Sequence, residues 1–447
     1  MTQIQSMVTV TGRSMNKLAM INIVLIANPQ SPRVDFFQNA LTSLKLPPAQ
    51  LVTYEDLLAQ RCSLQEYDRP DLWFRFEAPE RNFGCDRAFI AAAADLDPNG
   101  SHHRITAEKA LQLPADKGRI FYPRQWYLGW QKSLLKWVAP LQGRIMNHPG
   151  DIVVMFDKVR CQQRLAQAGI PIPPPLPSFP DSGWERPPET LAQGGQDGQR
   201  SQSLLRGHPA GVWALGNPGV WALEREGGGT IQNYDHLQAM MDEVGCDRVF
   251  IKLAHGSAAS GVVAYERHRG QERAITTVER ATDSGDLRFY NSRKVFQYRK
   301  PHYIADIINF LAKERIQVEA WIPKARIEGR EFDLRVVVIA GKARHVVVRL
   351  GRSPMTNLHL GSDRRSIDHL PDRLRSSDWQ MMMHTCEQAA ACFPNSLYCG
   401  VDLLITPNWQ DHYILEANAF GDLVKGTTWQ GKDTYTTELE IISKTHA

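Results

Sequence analysis

The chain's first clear pattern is an uninterrupted apolar run, Ile21–Ala27 (INIVLIA), closed by Asn28-Pro29. A strand without polar alternation is buried on both faces, as in a parallel sheet. Val34, Phe37, Leu41 and Leu44 then recur at helical spacing, and short apolar runs return at Leu51–Thr53 and Leu72–Phe76. Strand, helix, strand predicts an open α/β sheet over residues 20–150. No GxGxxG follows the first strand, so the dinucleotide fingerprint is unsupported. Residues 1–19 are polar and aperiodic and lack the apolar stretch of a secretory signal. They read as a flexible tail, with Met7, Met15 and Met20 as alternative starts.

Asp157-Lys158 opens a helical stretch that runs to Ala168 and stops at Gly169. The Pro-rich segment Pro171–Pro188 favours extended backbone. Gln193–Gly229 is rich in Gly, Gln and Ser and carries GVWAL twice, at Gly211–Leu215 and Gly219–Leu223. This reads as a mobile insertion over about 180–229, bearing a local duplication. Order resumes with a strand at Val249–Lys252, a small-residue loop from His255 to Gly261, and a strand at Val262–Tyr265: a hairpin. Ile304, Ile307, Ile308 and Leu311 mark an amphipathic helix. Ile316–Ile322 and Leu334–Ile339 read as strands, the latter turning at Ala340-Gly341-Lys342 into Ala343–Leu350. A helix over Trp379–Phe393 and a hairpin of Val401–Ile405 with Tyr413–Asn418 complete the pattern. Two lobes, 151–325 and 326–447, follow the first sheet.

Composition narrows the class. The chain has 447 residues, enough for two or three domains, with 52 Lys+Arg against 48 Asp+Glu. The net charge of +4 does not suggest a nucleic-acid partner. No run approaches a membrane span. Seven cysteines, none in a CxxC pair, read as reduced thiols of a cytoplasmic protein, with neither a disulfide framework nor a zinc site.

The strongest chemical signal is Asp402, Glu416 and Asn418. With the hairpin turn centred near Trp409, Asp402 lies opposite Glu416, and Asn418 shares the face two residues on. Two carboxylates side by side in an apolar hairpin call for a cation, and Mg²⁺ is the oxygen-seeking choice; a sheet-end network with a nearby Lys or Arg is the plain alternative. Lys252 ends its strand at the base of the Gly/Ser loop, where backbone N–H groups can approach phosphate. GxxxxGK[ST] occurs nowhere, and a glycine hairpin can be only a hairpin. Arg335 and Arg349 fall opposite each other if their hairpin turns at Gly341, a pair that repels without an anion; two separate solvated arginines are equally compatible. Asn357 sits in a turn-like run.

In order, these motifs are DK at Asp157, IK with a small-residue loop, EAWIP at Glu319, DLR at Asp333, R…TNLHLG, GVD, and LEAN. The series resembles the ATP-grasp superfamily, nearest in style to glutathione synthetase and the ribosomal-protein glutamate ligase. QWY at Gln125 and the ending EANAFGDLVKG are similar to those of a bacterial branch. The resemblance implies an α/β fold, a pre-ATP-grasp open sheet followed by a two-lobed ATP-grasp unit. It implies ATP and two Mg²⁺ ions, with Mn²⁺ as a substitute. Lys158 and Lys252 would hold phosphates, under a loop of Gly256, Ser257, Ser260 and Gly261. Glu319, Trp321 and Ile322 would form the adenine hinge through backbone groups at Trp321 and Ile322, and Asp333 would face the ribose. Asn357 would sit near the phosphates. Arg335 and Arg349 would steady the transferring phosphoryl group, and Asp402, Glu416 and Asn418 would bind the metal, with Glu416 bridging.

The expected reaction is ATP-dependent ligation of a small-molecule carboxylate to an amine or thiol through an acyl-phosphate. A small-molecule kinase and a non-catalytic ATP-binding subunit are the alternatives. No nucleic acid or membrane is expected as partner, and a homodimer is an allowed assembly. His255 is the one histidine placed to take part. Ala419-Phe420-Gly421-Asp422 after the final Asn departs from the superfamily's usual Pro-containing continuation, so no substrate carries over.

Overall fold

The computed structural model describes residues 21–96, 103–176, 231–257, 259–283, 285–371 and 374–444. The N-terminal tail and the Gly/Trp insertion with both GVWAL copies lie outside the described residues.

The fold is α/β. A parallel four-stranded sheet, in the order β2-β1-β3-β4, comes first: β1 (Asn22–Ala27), β2 (Gln50–Thr53), β3 (Leu72–Phe76) and β4 (Arg144–Ile145). Ser31 caps the Pro32–Ser43 helix after β1, accepting from the Arg33 N–H, and Pro32 needs no donor partner in the first turn.

The second sheet is antiparallel, in the order β5-β10-β6-β7-β8-β9: β5 (Pro175–Leu176), β6 (Arg248–Leu253), β7 (Val262–His268), β8 (Gln271–Asp283), β9 (Asp286–Tyr298) and β10 (Ile316–Ala320). The β6–β7 hairpin is the expected one; β10 is two residues shorter than its apolar pattern, because Trp321 and Ile322 leave the ladder. The third sheet follows the order β14-β13-β12-β15-β16: β12 (Arg330–Ile339), β13 (Lys342–Leu350), β14 (Asp363–Arg365), β15 (Tyr398–Ile405) and β16 (His412–Asn418), with β11 (Arg326–Ile327) on β12.

The apolar core is shared unevenly. One cluster joins Val24, Phe74 and Trp130 of the first domain to Leu334, Val336, Val401 and Leu403 of the third sheet. A second joins Leu25 and Phe37 to Val337, Tyr398 and Leu439. The middle sheet has a core of its own, built on Ile251, Val263, Ile304, Ile308 and Val318. The first and third sheets therefore form one packed body, and the middle sheet faces them across a cleft. Among the described residues no helix is long and apolar enough to cross a membrane.

Candidate active site

The site is built on one face of the third sheet. Register pairs Asp402 with Glu416 and Gly400 with Asn418, the pairing expected from the turn near Trp409. The ladder breaks between Asp402 and Leu403, where Leu415 is the extra residue of β16, so the bulge sits beside the carboxylate pair. Next to them, Arg335 lies opposite Asp402.

The arginine pairing differs from expectation. Arg349 lies opposite Asp333, and Arg335 opposite Val347. The tight Ala340-Gly341 turn and a bulge at Val337/Val338 set this register, two residues from the expected one. Both guanidiniums still share a face, and their common anion is Asp402. Arg335 grips it with Nε on Oδ1 and with Nη2 on Oδ2 at 3.1 Å, while Arg349 Nη2 reaches Oδ2 at 3.1 Å. Arg349 Nε also donates to Asp333 Oδ1 at 2.7 Å. Burial works to lower the Arg349 pKa, but Asp333 and Asp402 raise it above the ordinary arginine range.

Asp333 is buried and fully engaged. Besides Arg349 it takes Lys324 Nζ at 3.2 Å and the Thr356 hydroxyl, so it braces the arginine rather than offering a free carboxylate to a ribose. Asn357 lines the cleft but caps the short turn Leu358–Leu360, its Oδ1 accepting from the His359 N–H at 2.8 Å.

The facing wall comes from the middle sheet, and the Lys158–Gln167 helix lies at the junction, with Cys161 and Leu165 in the core shared by the first and third sheets. Asp157 caps that helix, accepting from the N–H groups of Val159 and Arg160 at 3.0 and 3.1 Å. Lys158 Nζ stands 3.6 Å from Glu416 and donates to the Gly256 carbonyl at 2.5 Å. Lys252 on β6 pairs with Glu319 on β10, which also accepts from Gln162 at 2.7 Å and Gln317 at 2.9 Å. Burial would raise the pKa of Glu416, yet Lys158, then Lys252 and Arg335, with the Asn418 amide, hold it down at about 2. Glu416 is thus an anion kept charged by cations from both walls.

The Gly/Ser loop closes tightly on itself. A Cβ on Gly256 would meet the Ser260 carbonyl at 2.7 Å, and Gly261 has φ +64° with Leu253 Cδ1 where its Cβ would go. Only glycine fits at either position. The Ser260 N–H donates to the Ser257 carbonyl at 2.8 Å. His255 is buried, stacked on Tyr127 at 4.1 Å, with Nε2 3.1 Å from Asp157 Oδ2. Arg315 holds the same Asp157 at 2.9 Å. Burial lowers the His255 pKa, and the ring anchors the loop to the helix cap.

At the hinge, the Trp321 N–H is committed to the Arg248 carbonyl at 3.1 Å, and its ring packs on Phe250 at 5.1 Å. Ile322 lines the cleft.

The cleft is a cavity of about 850 Å³ that Lys158, Lys252, Ile322, Arg335, Asp402 and Glu416 all line. Its donor set suits a hard divalent cation: two carboxylates and an amide on one sheet face. Among the described residues no group of three or more His, Cys, Asp or Glu is placed to hold a metal, and the donor set is two carboxylates with the Asn418 amide beside them.

Two features escaped the sequence reading. One is Lys324, which neutralises Asp333 from nine residues away. The other is a buried cluster behind the site, Arg33, Arg75, Glu77, Asp422 and Glu438. It explains the unusual Phe420-Gly421-Asp422 ending. Gly421 lies against Gly400 so closely that a Cβ on it would sit 2.5 Å from the Gly400 Cα. Asp422 then reaches both arginines. The only advance signal was that departure itself.

No protein-family model and no curated protein matches this chain. Among solved structures, it is similar to the macrocyclase MdnC of Microcystis aeruginosa bound to its precursor peptide (10% identity, 95% of this chain and 100% of that one, TM-score 0.47). It is also similar to biotin carboxylase from Campylobacter jejuni (14% identity, 94% and 70%, TM-score 0.44). A third is the ATP-grasp ligase PsnB with a precursor variant, Mg and ADP (12% identity, 95% and 99%, TM-score 0.43). Likenesses at this level carry no argument about what the chain binds or makes.

Proposed function

We propose that the protein is an ATP- and Mg²⁺-dependent ligase that activates a carboxylate as an acyl-phosphate and passes it to an amine. The observation that carries this reading is the Asp402/Glu416 pair, in register on one sheet face and bracketed by Lys158, Arg335 and Arg349. The motif order that resembles the ATP-grasp superfamily supports it.

Each residue then has a task. Lys252 from the wall opposite the carboxylates and Lys158 from beside Glu416 neutralise phosphate oxygens. Backbone N–H groups at Ser257 and Gly261 of the small-residue loop would approach phosphate oxygens. Ile322, which lines the cleft, and backbone groups at Trp321 would hold the base at the hinge. Asp402, Glu416 and Asn418 would hold Mg²⁺, which would supply charge neutralisation and orientation of the phosphates. For this the Arg335 and Arg349 guanidiniums must share or release Asp402, and so become available to the transferring phosphoryl group. Electrostatic stabilisation fixed in advance of the reaction is the largest contribution such a site can make. No protein nucleophile is required.

The test is trapping. Pooled small acids, ATP and Mg²⁺ are incubated with hydroxylamine in place of an amine. The reading expects hydroxamate to accumulate in step with ADP, and Arg335→Ala to suppress both. A stable phosphate monoester without hydroxamate would replace the ligase with a kinase.

A further inference from the structure

The first-domain end of the cleft holds a carboxylate that the site described above does not use. Asp86 lies on the Phe83–Ala92 helix and lines both the main cavity and a smaller one of about 590 Å³ that opens beside it. The indole N–H of Trp126 donates to its Oδ1 at 2.9 Å. Among the described residues no lysine, arginine or histidine forms an ion pair with it. Of the cations that line the smaller cavity, Arg119 pairs with Asp116 at 3.6 Å and lies over Phe121 at 4.8 Å, Arg81 reaches the Gln30 carbonyl at 3.5 Å, and Lys117 forms no ion pair with Asp86. Burial pushes the Asp86 pKa up to about 6, and only the Trp126 hydrogen bond opposes that rise. It therefore carries its charge near neutral pH with a hydrogen bond from Trp126 and no ion pair among the described residues, an arrangement that costs free energy.

One side of its surroundings is aromatic, beside a rim of Asp116, Lys117 and Arg119. Trp126 stacks toward Phe156 at 5.5 Å, and Phe121 lines the same cavities. Phe156 is two residues from Lys158, so this wall runs directly into the proposed phosphate site. A half-buried carboxylate on an aromatic wall matches an alkylammonium: charge to charge, with the alkyl chain on the rings.

We propose that Asp86, oriented by Trp126, binds the primary ammonium group of the nucleophilic substrate. This rests on the ligase reading and narrows its second substrate to a primary amine that arrives as its cation and loses one proton to solvent water before the free amine attacks. Trp126 is a positioning residue in this site, since it acts through Asp86.

The probe is n-butylammonium against its uncharged counterpart n-butanol, on the full chain labelled with fluorotryptophan. Loss of one fluorine NMR signal in Trp126→Phe assigns the reporter. The expected result is a saturable shift of the Trp126 signal with n-butylammonium and none with n-butanol. Asp86→Asn should weaken that response roughly tenfold or more. An equal response to the alcohol, no response to either, or an unchanged response in Asp86→Asn overturns the site. The comparison of the two ligands on the unmutated chain stands even if Asp86→Asn folds poorly. Binding of Mg²⁺ with a non-hydrolysable ATP analogue, followed by calorimetry, separates the two readings. Nucleotide binding without an ammonium response sinks this site alone. An ammonium response without nucleotide binding sinks the ligase and leaves the site standing.

Discussion

Glu416 is held as an anion by cations around the cleft. Its pKa of about 2 lies below the ordinary value of 4.5, so its charge stabilises the fold above about pH 4.5. That contribution fades as the pH falls toward 2. Glu416→Gln should lower stability at neutral pH by on the order of 1–2 kcal/mol, allowing for screening at a half-buried site. The gap to the parent protein should close below pH 4.5, as read from urea midpoints. ATP turnover should be lost throughout, and wild-type turnover would remove Glu416 from the metal reading. Lys252 is separable in a second way, because it also satisfies buried Glu319. Lys252→Met should cut nucleotide affinity roughly tenfold, the value of one charge-assisted hydrogen bond, and should also lower the melting temperature. Adding Glu319→Gln should restore the melting temperature and leave the affinity low. Calorimetric titration beside a thermal scan reads both, and full affinity in the single variant would place Lys252 outside the nucleotide site. Residue identity on the sheet face was legible because side-chain parity tolerates an error of two. The misplaced register of Arg335 and Arg349 kept both on the correct face while hiding Asp333 and Asp402 as their partners.

At the scale of elements, apolar period revealed the strands that are buried on both faces and the helices with clean stripes. It did not reveal the Pro123–Val138 helix, whose buried side includes Arg124 and Gln125 beside Trp130 and Leu134. Its apolar stripe is broken by polar residues that are satisfied in three dimensions: Gln125 Nε2 donates to the carbonyls of Ile90 and Ile105, both at 2.8 Å. The long β8–β9 hairpin escaped for a related reason, being rich in charged residues at its far end. The QWY motif divides its work along this helix. Gln125 fixes the neighbouring chain, Trp126 holds Asp86, and Tyr127 stacks on His255. The helix can lie so close to Phe83–Ala92 only because of Gly129, where a Cβ would fall 1.8 Å from the Phe89 carbonyl. Gly129→Ala must push the two helices apart, an overpacking cost of about 1–3 kcal/mol or more. It should also move Asp86 away from Trp126, which lies on the opposing helix. The expected outcome is a lower thermal midpoint by tryptophan fluorescence together with a weakened n-butylammonium response. A variant with parental stability would mean that the close contact relaxes without consequence.

Across the whole molecule, the first and third sheets are joined by charge as well as by apolar packing. Arg75 of β3 is fully buried between the rings of Phe37, Tyr398 and Tyr435, at 4.7, 4.6 and 4.9 Å. It pairs with Glu77 at 2.6 Å, with Asp422 after β16 at 2.5 Å, and with Glu438 of the C-terminal helix at 2.6 Å. Arg33 adds a second cation, 2.7 Å from Asp422. Partners separated by 347 and 363 positions leave no trace in local pattern, and a short apolar run such as LWFRF gives no hint that its arginine is a fully buried charge. The cluster holds three carboxylates against two arginines, and burial raises the pKa of Glu438 well above the ordinary range while Arg75 opposes it. A carboxyl whose folded pKa is raised binds its proton more tightly in the native state, so the fold gains from acidification there. Arg75→Met should expose this directly. It leaves Glu77, Asp422 and Glu438 with Arg33 alone, and breaking such a buried set costs about 3–5 kcal/mol at neutral pH. As the pH drops from 7 toward 5 the orphaned carboxyls take up protons, and the deficit against the parent protein should shrink. Adding Glu438→Gln should recover part of the loss at pH 7 and flatten that dependence. Thermal midpoints of the parent, the single and the double variant across this pH range decide the matter. A deficit that stays constant with pH would mean that Arg75 acts through its ring contacts, and that the two sheets are held by packing without help from the charges.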